Sequence, residues 1–243
     1  MQTALKQYLQ DHGFEHIRLK AVFFDMDGVL YDSMPNHATA WVRASADFGL
    51  GMTVHDVYMN EGRTGFSTVN EFTHRQFGRN TTPEEVEHIY QCKCDYYNAL
   101  AKPKPNPMPG VLSLLQQIRR DGFQIVLVTG SGQHSLLNRL NADFPHIFHS
   151  DLMVTGYDVK YGKPNPEPYL MAMYKAGVQP WEAMVVENAP LGVRAGVASQ
   201  AFTVACNTGP LPDKTFRNEQ ANIIMPSLQA LNDAWPKLRE ALG

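Results

Sequence analysis

The sequence predicts an α/β fold: a doubly wound parallel sheet whose first strand is followed by an inserted helical segment. Beyond residue 108, short apolar runs alternate with amphipathic stretches, the order expected of parallel strands joined by right-handed helical crossovers. Residues 34–107 contain no convincing strand pattern. With 243 residues, 44% of them hydrophobic, the chain is long enough for one or two domains with a sizeable core.

The predicted strands are short apolar runs that lack polar alternation. Such runs indicate strands that are buried on both faces of a sheet. They cover residues 21–25, 124–129, 152–154, 183–187 and 202–205.

Helical patterns lie before and between these strands. A short amphipathic helix and a turn at Gly13 precede the first strand. Gly122 is typical of a residue that ends a helix, and Pro190 of one that begins it. The predicted helices beyond the insertion cover residues 111–120, 168–176, 189–199 and 228–242.

The inserted segment is predicted to be all-helical, with helices over residues 37–48, 66–77 and 83–100. The last begins in the stretch TTPEE, a good N-terminal signal. Prolines recur through KPKPNPMPG, residues 102–110, and exclude helix interior there. We therefore expect an α/β core domain of residues 1–32 and 108–243, with an α-helical domain of residues 33–107 between its two parts.

Composition and charge exclude several classes of partner. The net charge of −3 creates no basic field for nucleic acid or an anionic membrane. No apolar run is long enough to span a bilayer, and the first residues lack the apolar stretch that is typical of a secretory signal. Cys92, Cys94 and Cys206 are odd in number, and the first two are poorly spaced for zinc. We expect reduced thiols and a cytoplasmic protein, without nucleic acid or membrane as partner.

Polar residues follow several of the predicted strands at the point where each strand ends. Asp25 ends the first, Thr129 the second, and Glu187-Asn188 the strand over 183–187, while Lys163 lies in a loop between two others. Ligands of an open parallel sheet bind outside the carboxyl ends of its strands. These side chains are therefore predicted to converge.

The predicted set suits phosphoryl transfer. Asp25 and Asp27 with a third acid make a hard oxygen site for Mg²⁺, which shields phosphate from an attacking carboxylate. One aspartate can be the nucleophile, and the second can protonate the leaving oxygen and later deprotonate water. A lysine and a hydroxyl can hold the phosphate oxygens.

The ordered motifs resemble the haloacid dehalogenase superfamily, phosphatase type. They are DMDG after the first strand, VTGS, the Lys-Pro of GKPNPEP, and VVENAPLG. The resemblance covers nearly the whole chain from about residue 20, and the helical insertion resembles that superfamily's small α-helical cap. The stretch FDMDGVLYDS is most similar to the β-phosphoglucomutase branch.

The resemblance implies a role for each motif residue. Asp25 would be the nucleophile and a Mg²⁺ ligand. Asp27 would be the general acid/base, with its backbone carbonyl on the metal. Thr129, Gly130 and Ser131 would bind phosphate.

Further roles follow from the same resemblance. Lys163 would balance the charge of nucleophile and phosphate, and Lys163-Pro164 is a candidate cis peptide bond. Glu187 and Asn188 would face the metal or its waters. His37 would lie near the active site, although a solvated helix histidine is an equal alternative.

Two positions depart from the mutase pattern. The acidic pair reads Glu187-Asn188, so that one carboxylate has become an amide. In the loop NEGRTG, residues 60–65, a sugar phosphomutase of this branch carries lysine and arginine where this chain has Glu61 and Gly65. In the mutase those two cations hold the sugar's distal phosphate. An acid at the same position, such as Glu61, would repel that phosphate unless a cation lies between the acid and the phosphate.

We hypothesise that Glu61 joins the Mg²⁺ shell when the cap closes, and so restores the negative charge lost at Asn188. The crowded site would then admit a small substrate, as in the pyrophosphate-cleaving members of the branch, which the ENAPLG and EGRTG stretches resemble. The alternative is an exposed Glu61 without a role. Arg63 is a candidate substrate contact, with a surface arginine as the equal alternative.

The predicted function is Mg²⁺-dependent phosphate hydrolysis through an aspartyl phosphate. The preferred substrate is inorganic pyrophosphate or another small phosphate compound, acted on by a monomer or weak oligomer. One alternative is β-phosphoglucomutase, because fold alone does not set substrate. A second is a catalytically silent phosphate-binding protein.

Overall fold

The computed structural model describes residues 1–102, 104–130 and 136–243. Within them, six strands form one parallel sheet in the order β3-β2-β1-β4-β5-β6. The chain therefore winds outward from β1 in both directions, which confirms the predicted α/β fold. The strands are β1 (Ala21–Phe24), β2 (Gln124–Val128), β3 (Met153–Val154), β4 (Ala183–Glu187), β5 (Phe202–Cys206) and β6 (Ile223–Met225).

Helices cover both faces of this sheet. Alternate residues of β1 point to opposite faces, so that Phe24 packs in one apolar cluster and Phe23 in another, and both are fully buried. This burial on two faces explains why the strands lack polar alternation. The flanking helices are α1 (Gln2–His12), α6 (Val111–Arg120), α7 (Leu136–Asp143), α8 (Glu167–Ala176), α9 (Pro190–Ala198), α10 (Asp213–Asn218) and α11 (Leu228–Ala241).

The inserted segment, residues 33–107 and here called the cap, is helical as predicted. Trp41, Phe72 and Ile89 form its apolar centre, which continues onto Val193 and Phe216 beside the sheet. The α5 helix begins with a capping box between Thr82 and Glu85, in the TTPEE stretch. The cap helices are α2 (Met34–Asp47), α3 (Val54–Met59), α4 (Gly65–Phe77) and α5 (Pro83–Leu100).

Two connections join the cap to the sheet and run side by side. The Asp32 N–H donates to the Asn106 carbonyl over 2.9 Å, and the Met108 N–H donates to the Leu30 carbonyl over 2.9 Å. The proposed division into residues 1–32 with 108–243 and residues 33–107 falls at these paired connections.

The short elements were not predicted from the sequence patterns. The α3 and α10 helices have six residues each and β6 has three, whereas two helical turns need about seven. The α7 helix was also missed. Strands β1 and β2 end one residue earlier than predicted, at Phe24 and Val128, so that Asp25 and Thr129 lie just beyond them. Among the described residues, no helix combines the length and apolar character needed to cross a membrane.

Candidate active site

A buried ion network joins three strand ends through one lysine. Asp25 follows β1 and Glu187 ends β4, and both are buried, as is Lys163. The Lys163 ammonium donates to Asp25 Oδ1, to Glu187 Oε1 over 2.6 Å, and to the Val128 carbonyl at the end of β2 over 3.2 Å. The predicted convergence of Asp25, Lys163 and Glu187 is therefore present. The Lys163–Pro164 peptide bond is cis, as predicted.

The Glu187 carboxylate is held by four donors. Its Oε1 accepts from Lys163 over 2.6 Å and from the Tyr169 hydroxyl over 2.7 Å. Its Oε2 accepts from the backbone N–H groups of Asn188, over 3.0 Å, and Ala189, over 3.2 Å. A carboxylate offers about four lone-pair sites, and all are used here. Glu187 is thus a fixed partner of the lysine, and its role toward a metal or the metal's waters, which the resemblance implies, stays a prediction.

Acids outnumber cations around Asp25. Burial raises the pKa of Asp25 to about 8; Glu187 and Asp27 also raise it, and Lys163 opposes them. Burial disfavours charged Lys163, but its attraction to Asp25 and Glu187 prevails and raises its pKa. Burial raises the pKa of Glu61 well above its usual value, and the charge of Asp25 adds to this. An added cation would stabilise the ionised carboxylates.

Asp27 is oriented by a chain of hydrogen bonds. It accepts from the Ser33 hydroxyl and contacts His37 Nε2 at 3.3 Å. The Lys93 ammonium lies 3.0 Å from His37 Nδ1. Because an ammonium only donates, Nδ1 is the acceptor and Nε2 carries the proton that His37 donates to Asp27. This places His37 beside the active site, the first of its two predicted alternatives.

Burial and the contacts of Asp27 shift two pKa values. Burial raises the pKa of Asp27, but its contacts with His37 and Ser33 outweigh this and lower the pKa to about 2. Burial and the charge of Lys93 lower the pKa of His37. The contacts of Asp27 thus stabilise its carboxylate, whereas burial and Lys93 oppose a charge on His37.

A glycine lets the DMDG loop touch the residue after β4. Gly28 has a φ of +78°, in the region that favours glycine, and a Cβ there would lie 2.0 Å from Asn188 Nδ2. That nitrogen donates to Glu61 Oε1 over 2.9 Å. Among the described residues, the buried Glu61 Oε2 and Asn188 Oδ1 have no hydrogen-bond partner. An acid of the cap therefore reaches the carboxyl end of the sheet, and two unpaired oxygens lie there.

The predicted phosphate-binding residues lie where β2 ends. Thr129 is buried and its N–H donates to the Val154 carbonyl over 2.9 Å. A Cβ at Gly130 would lie 3.5 Å from the Gly62 carbonyl oxygen of the cap, so that the cap loop approaches this turn closely. Ser131, the third predicted residue, lies outside the described residues.

Arg63 is held within the cap. Its Nε donates to Asn60 Oδ1 and its Nη1 to Ser67 Oγ, each over 3.1 Å, and its Nη2 lies 3.6 Å from Glu71 Oε2. Arg63 also lines the cavity described next, so that its predicted contact with substrate stays a prediction.

A cavity of about 890 Å³ lies between the cap and the carboxyl end of the sheet. Asp25, Asp27 and Thr129 line it from the sheet side, and Glu61 and Arg63 from the cap side. Its volume lies within the usual range for small-molecule sites, about 300–1,000 Å³.

The sequence matches the family model of the haloacid dehalogenase-like hydrolases over residues 19–200. The chain belongs to this family. It is 28% identical to hexitol phosphatase A of Escherichia coli K12, over 88% of this chain and 94% of that protein. It is 27% identical to β-phosphoglucomutase of Bacillus subtilis 168, over 91% of this chain and 97% of that protein.

A solved structure from Bacteroides vulgatus, provisionally assigned as a β-phosphoglucomutase, is 52% identical to this haloacid dehalogenase-like hydrolase. The two superpose with a TM-score of 0.95, over 99% of this chain and 97% of that one. The predicted superfamily and the likeness to its β-phosphoglucomutase branch are thus confirmed, and the protein is a phosphatase-type enzyme for a small phosphorylated compound. Closeness to the pyrophosphatase members stays a prediction.

The donor set of this haloacid dehalogenase-like hydrolase fits a hard divalent cation. Carboxylate and amide oxygens are the ligands such ions prefer, and Glu61 Oε2 and Asn188 Oδ1 are buried and unpaired among the described residues. Asp25 and Asp27 lie at the same end of the sheet. In the described part of the chain, no three His, Cys, Asp or Glu side chains form a group that could hold a metal. At the end of β4, residue 188 is an amide, and the Glu187 carboxylate already accepts from four donors.

Three residues of the site escaped the sequence analysis. Tyr169, on α8, hydrogen-bonds to Glu187, and Ser33, which precedes α2, hydrogen-bonds to Asp27; no sequence pattern indicated either contact. Lys93 had a detectable signal: it lies four residues after the buried Ile89 of α5, on the helix face that meets the apolar interior. Because lysine side chains are rarely buried unless they are paired, a lysine at such a position indicates a specific contact.

Proposed function

We propose that this haloacid dehalogenase-like hydrolase is a Mg²⁺-dependent phosphohydrolase that cleaves inorganic pyrophosphate through an aspartyl phosphate. The observation that carries the choice of substrate is the contact of Glu61 with Asn188 over 2.9 Å. It puts an acid of the cap at the site where a phosphomutase would need a cation for the sugar's distal phosphate.

The proposed reaction uses Asp25 as nucleophile. Lys163 holds its Oδ1, and the other oxygen bonds to phosphorus while the bridging P–O bond breaks and orthophosphate leaves with the electron pair. Water then attacks the aspartyl phosphate, Asp27 takes the water's proton, and Asp25 is released. Thr129 and Gly130 hold the oxygens of the transferred group.

Asp25, Asp27, Asn188 and Glu61 would hold Mg²⁺. When bound, the ion supplies the positive charge that lets an anionic carboxylate approach an anionic phosphate. Lys163 supplies further positive charge from the side of the sheet, and Glu187 keeps its ammonium in place.

The cap loop favours a small substrate. A Cβ at Gly65 would lie 2.3 Å from the Tyr90 ring, so that the aromatic ring takes the space a longer side chain would need. The arginine that a sugar phosphomutase carries at this position would therefore displace Tyr90. With Glu61 at the other position, the loop presents neither cation for a distal sugar phosphate.

A second candidate is hydrolysis of a phosphorylated sugar. The cavity of about 890 Å³ has room for a hexose phosphate, and the relatives include a hexitol phosphatase and a β-phosphoglucomutase. Interconversion of glucose 1- and 6-phosphates without release of phosphate would favour the mutase.

A phosphate-release assay tests the proposal. Pyrophosphate, glucose 6-phosphate and sorbitol 6-phosphate are compared with and without Mg²⁺. We expect the highest kcat/KM for pyrophosphate and loss of turnover with a chelator. A preference for either sugar phosphate would overturn the choice of substrate, and the absence of any phosphate release would favour the silent binding protein.

Glu61→Gln tests the part of the cap in this proposal, with Glu71→Gln as its matched control. Glu71 lies on α4 with its side chain about half exposed. We expect Glu61→Gln to weaken Mg²⁺ binding by at least about 10-fold, the lower limit for outer-shell changes, and Glu71→Gln to leave it unchanged. Equal Mg²⁺ affinity and equal pyrophosphate turnover in wild type and Glu61→Gln would remove Glu61 from the mechanism.

A further inference from the structure

The cap contributes a buried ammonium to the cavity. Lys93 lies on α5, lines the cavity and is 6% exposed. Its Nζ lies 5.5 Å from the centre of the Trp41 ring, 5.7 Å from that of Tyr90 and 5.2 Å from that of Tyr97. Ring faces attract a cation but carry no countercharge, so that these contacts do not neutralise it.

Lys93 has no anionic partner within the described residues. No carboxylate there lies within 4.0 Å of its ammonium, and its hydrogen-bond partner, His37 Nδ1 at 3.0 Å, is the acceptor nitrogen of an imidazole. A buried charge without a paired charge is costly. An anion that enters the cavity and contacts Lys93 would offset this cost.

The position of Lys93 indicates which part of a substrate it meets. One imidazole separates it from Asp27, because His37 contacts Lys93 through Nδ1 and Asp27 through Nε2. In the proposed reaction the transferred phosphorus lies against Asp25, with Lys163 on the side of the sheet. The leaving group then lies in the part of the cavity toward the cap, which Lys93 lines.

We propose that Lys93 binds the leaving phosphate of pyrophosphate and thereby selects substrates whose leaving group is itself anionic. The proposal rests on the function proposed above. The ammonium donates to a non-bridging oxygen of the leaving phosphate, in addition to its contact with His37. This charge-assisted contact supplies binding that an uncharged leaving group cannot obtain.

Lys93→Met tests this role with two substrates that share the transferred group. Pyrophosphate has an anionic leaving group, whereas p-nitrophenyl phosphate has an aryl leaving group without a phosphate charge. We expect kcat/KM for pyrophosphate to fall about 30-fold or more, the loss for a buried charged contact. The fall for p-nitrophenyl phosphate should be at least tenfold smaller, so that the ratio of the two constants reports on the leaving group.

Two controls complete the design. Lys93→Arg keeps the charge and should keep the preference for pyrophosphate. Lys102→Met removes an exposed lysine that lines the same cavity and should leave the ratio unchanged. Circular dichroism melting confirms that each variant is folded.

The outcomes separate this inference from the proposed function. Equal losses on both substrates in Lys93→Met would mean that the lysine acts through His37 and Asp27, and would overturn the inference. Loss of the preference in Lys93→Arg would overturn it too, because the charge would then not be what matters. A wild-type protein that cleaves p-nitrophenyl phosphate but not pyrophosphate would overturn the proposed function itself.

Discussion

Replacing Glu187 by glutamine should destabilise the protein strongly, although the change conserves size. The carboxylate has four donors around it: Lys163, Tyr169 and the backbone N–H groups of Asn188 and Ala189. An amide has one oxygen that accepts and one NH₂ that donates. Whichever way the glutamine turns, its NH₂ group meets either the two backbone N–H groups or the Lys163 ammonium, because of the four donors only the Tyr169 hydroxyl can also accept.

The size of the effect follows from the donors that lose their acceptor, either two backbone N–H groups or one charged ammonium. A buried donor left unpaired costs about 1–3 kcal/mol, and more when it is charged, so that Glu187→Gln should lower the free energy of unfolding by about 2–6 kcal/mol. Breaking a buried ion pair is an independent guide, and typically costs about 3–5 kcal/mol. A chain of this size loses about 2–4 °C of Tm per kcal/mol, so that we expect a decrease of roughly 4–24 °C.

Thermal unfolding followed by circular dichroism measures this change, with Glu182→Gln as the matched control. Glu182 precedes β4, the strand that Glu187 ends. It pairs with Lys20, whose side chain is 47% exposed, and accepts from the Gln179 N–H over 2.9 Å. The Glu182 side chain is 11% exposed, but its partner Lys20 reaches solvent, which weakens such pairs toward the roughly 0–1 kcal/mol typical of the surface. The control should therefore change Tm by no more than about 4 °C.

A Tm for Glu187→Gln within about 2 °C of wild type would refute the reasoning, and so would a loss no larger than that of Glu182→Gln. Either result would mean that the four donors find other acceptors without cost. Phosphate release by the same variant should fall as well, because Lys163 would lose the partner that holds it.

Gly28→Ala should lower the free energy of unfolding by more than the roughly 1–3 kcal/mol of left-handed strain, because its Cβ would also lie 2.0 Å from Asn188 Nδ2. Gly122→Ala measures the strain alone, since Gly122 has a φ of +86° and no atom lies within 4 Å of a Cβ there; equal decreases in Tm for the two variants would contradict this expectation. Asp25→Asn should lower phosphate release at least about 1,000-fold in a variant that circular dichroism shows to be folded; retained turnover would exclude a nucleophilic Asp25. Mg²⁺ at 100 times its Kd for wild type should raise the free energy of unfolding of wild type by about 2.7 kcal/mol. The same Mg²⁺ concentration should stabilise Glu61→Gln by less, and equal increases in Tm would exclude Glu61 as a ligand.

Much of the fold was predictable because its signals are local. The apolar runs at residues 21–25 and 183–187 lie close to β1 (Ala21–Phe24) and β4 (Ala183–Glu187), since burial on both faces requires uninterrupted apolar residues. The acids that follow these strands were found for the same reason. Elements of three to six residues, such as β6 and α10, were missed, because so few residues do not define a period.

The motif residues of the candidate site were predictable from the sequence, but their pairings and the residues outside the motifs were not. The motifs placed Asp25, Lys163 and Glu187 together, but they did not indicate that the Glu187 carboxylate contacts the lysine. Lys93 was missed altogether, because a lysine on an amphipathic helix ordinarily faces solvent.

Local patterns along the chain were therefore enough to locate five of the six strands of the described residues, and the polar residues at the ends of β1, β2 and β4. They could not decide which of those residues meet, because Asn188 contacts Glu61 across 127 positions of sequence and Lys163 contacts Asp25 across 138. Such contacts depend on the strand order and on how the cap packs against the sheet. Both are set by the path of the whole chain, since burial and hydrogen bonding act between residues that are close in space rather than in sequence.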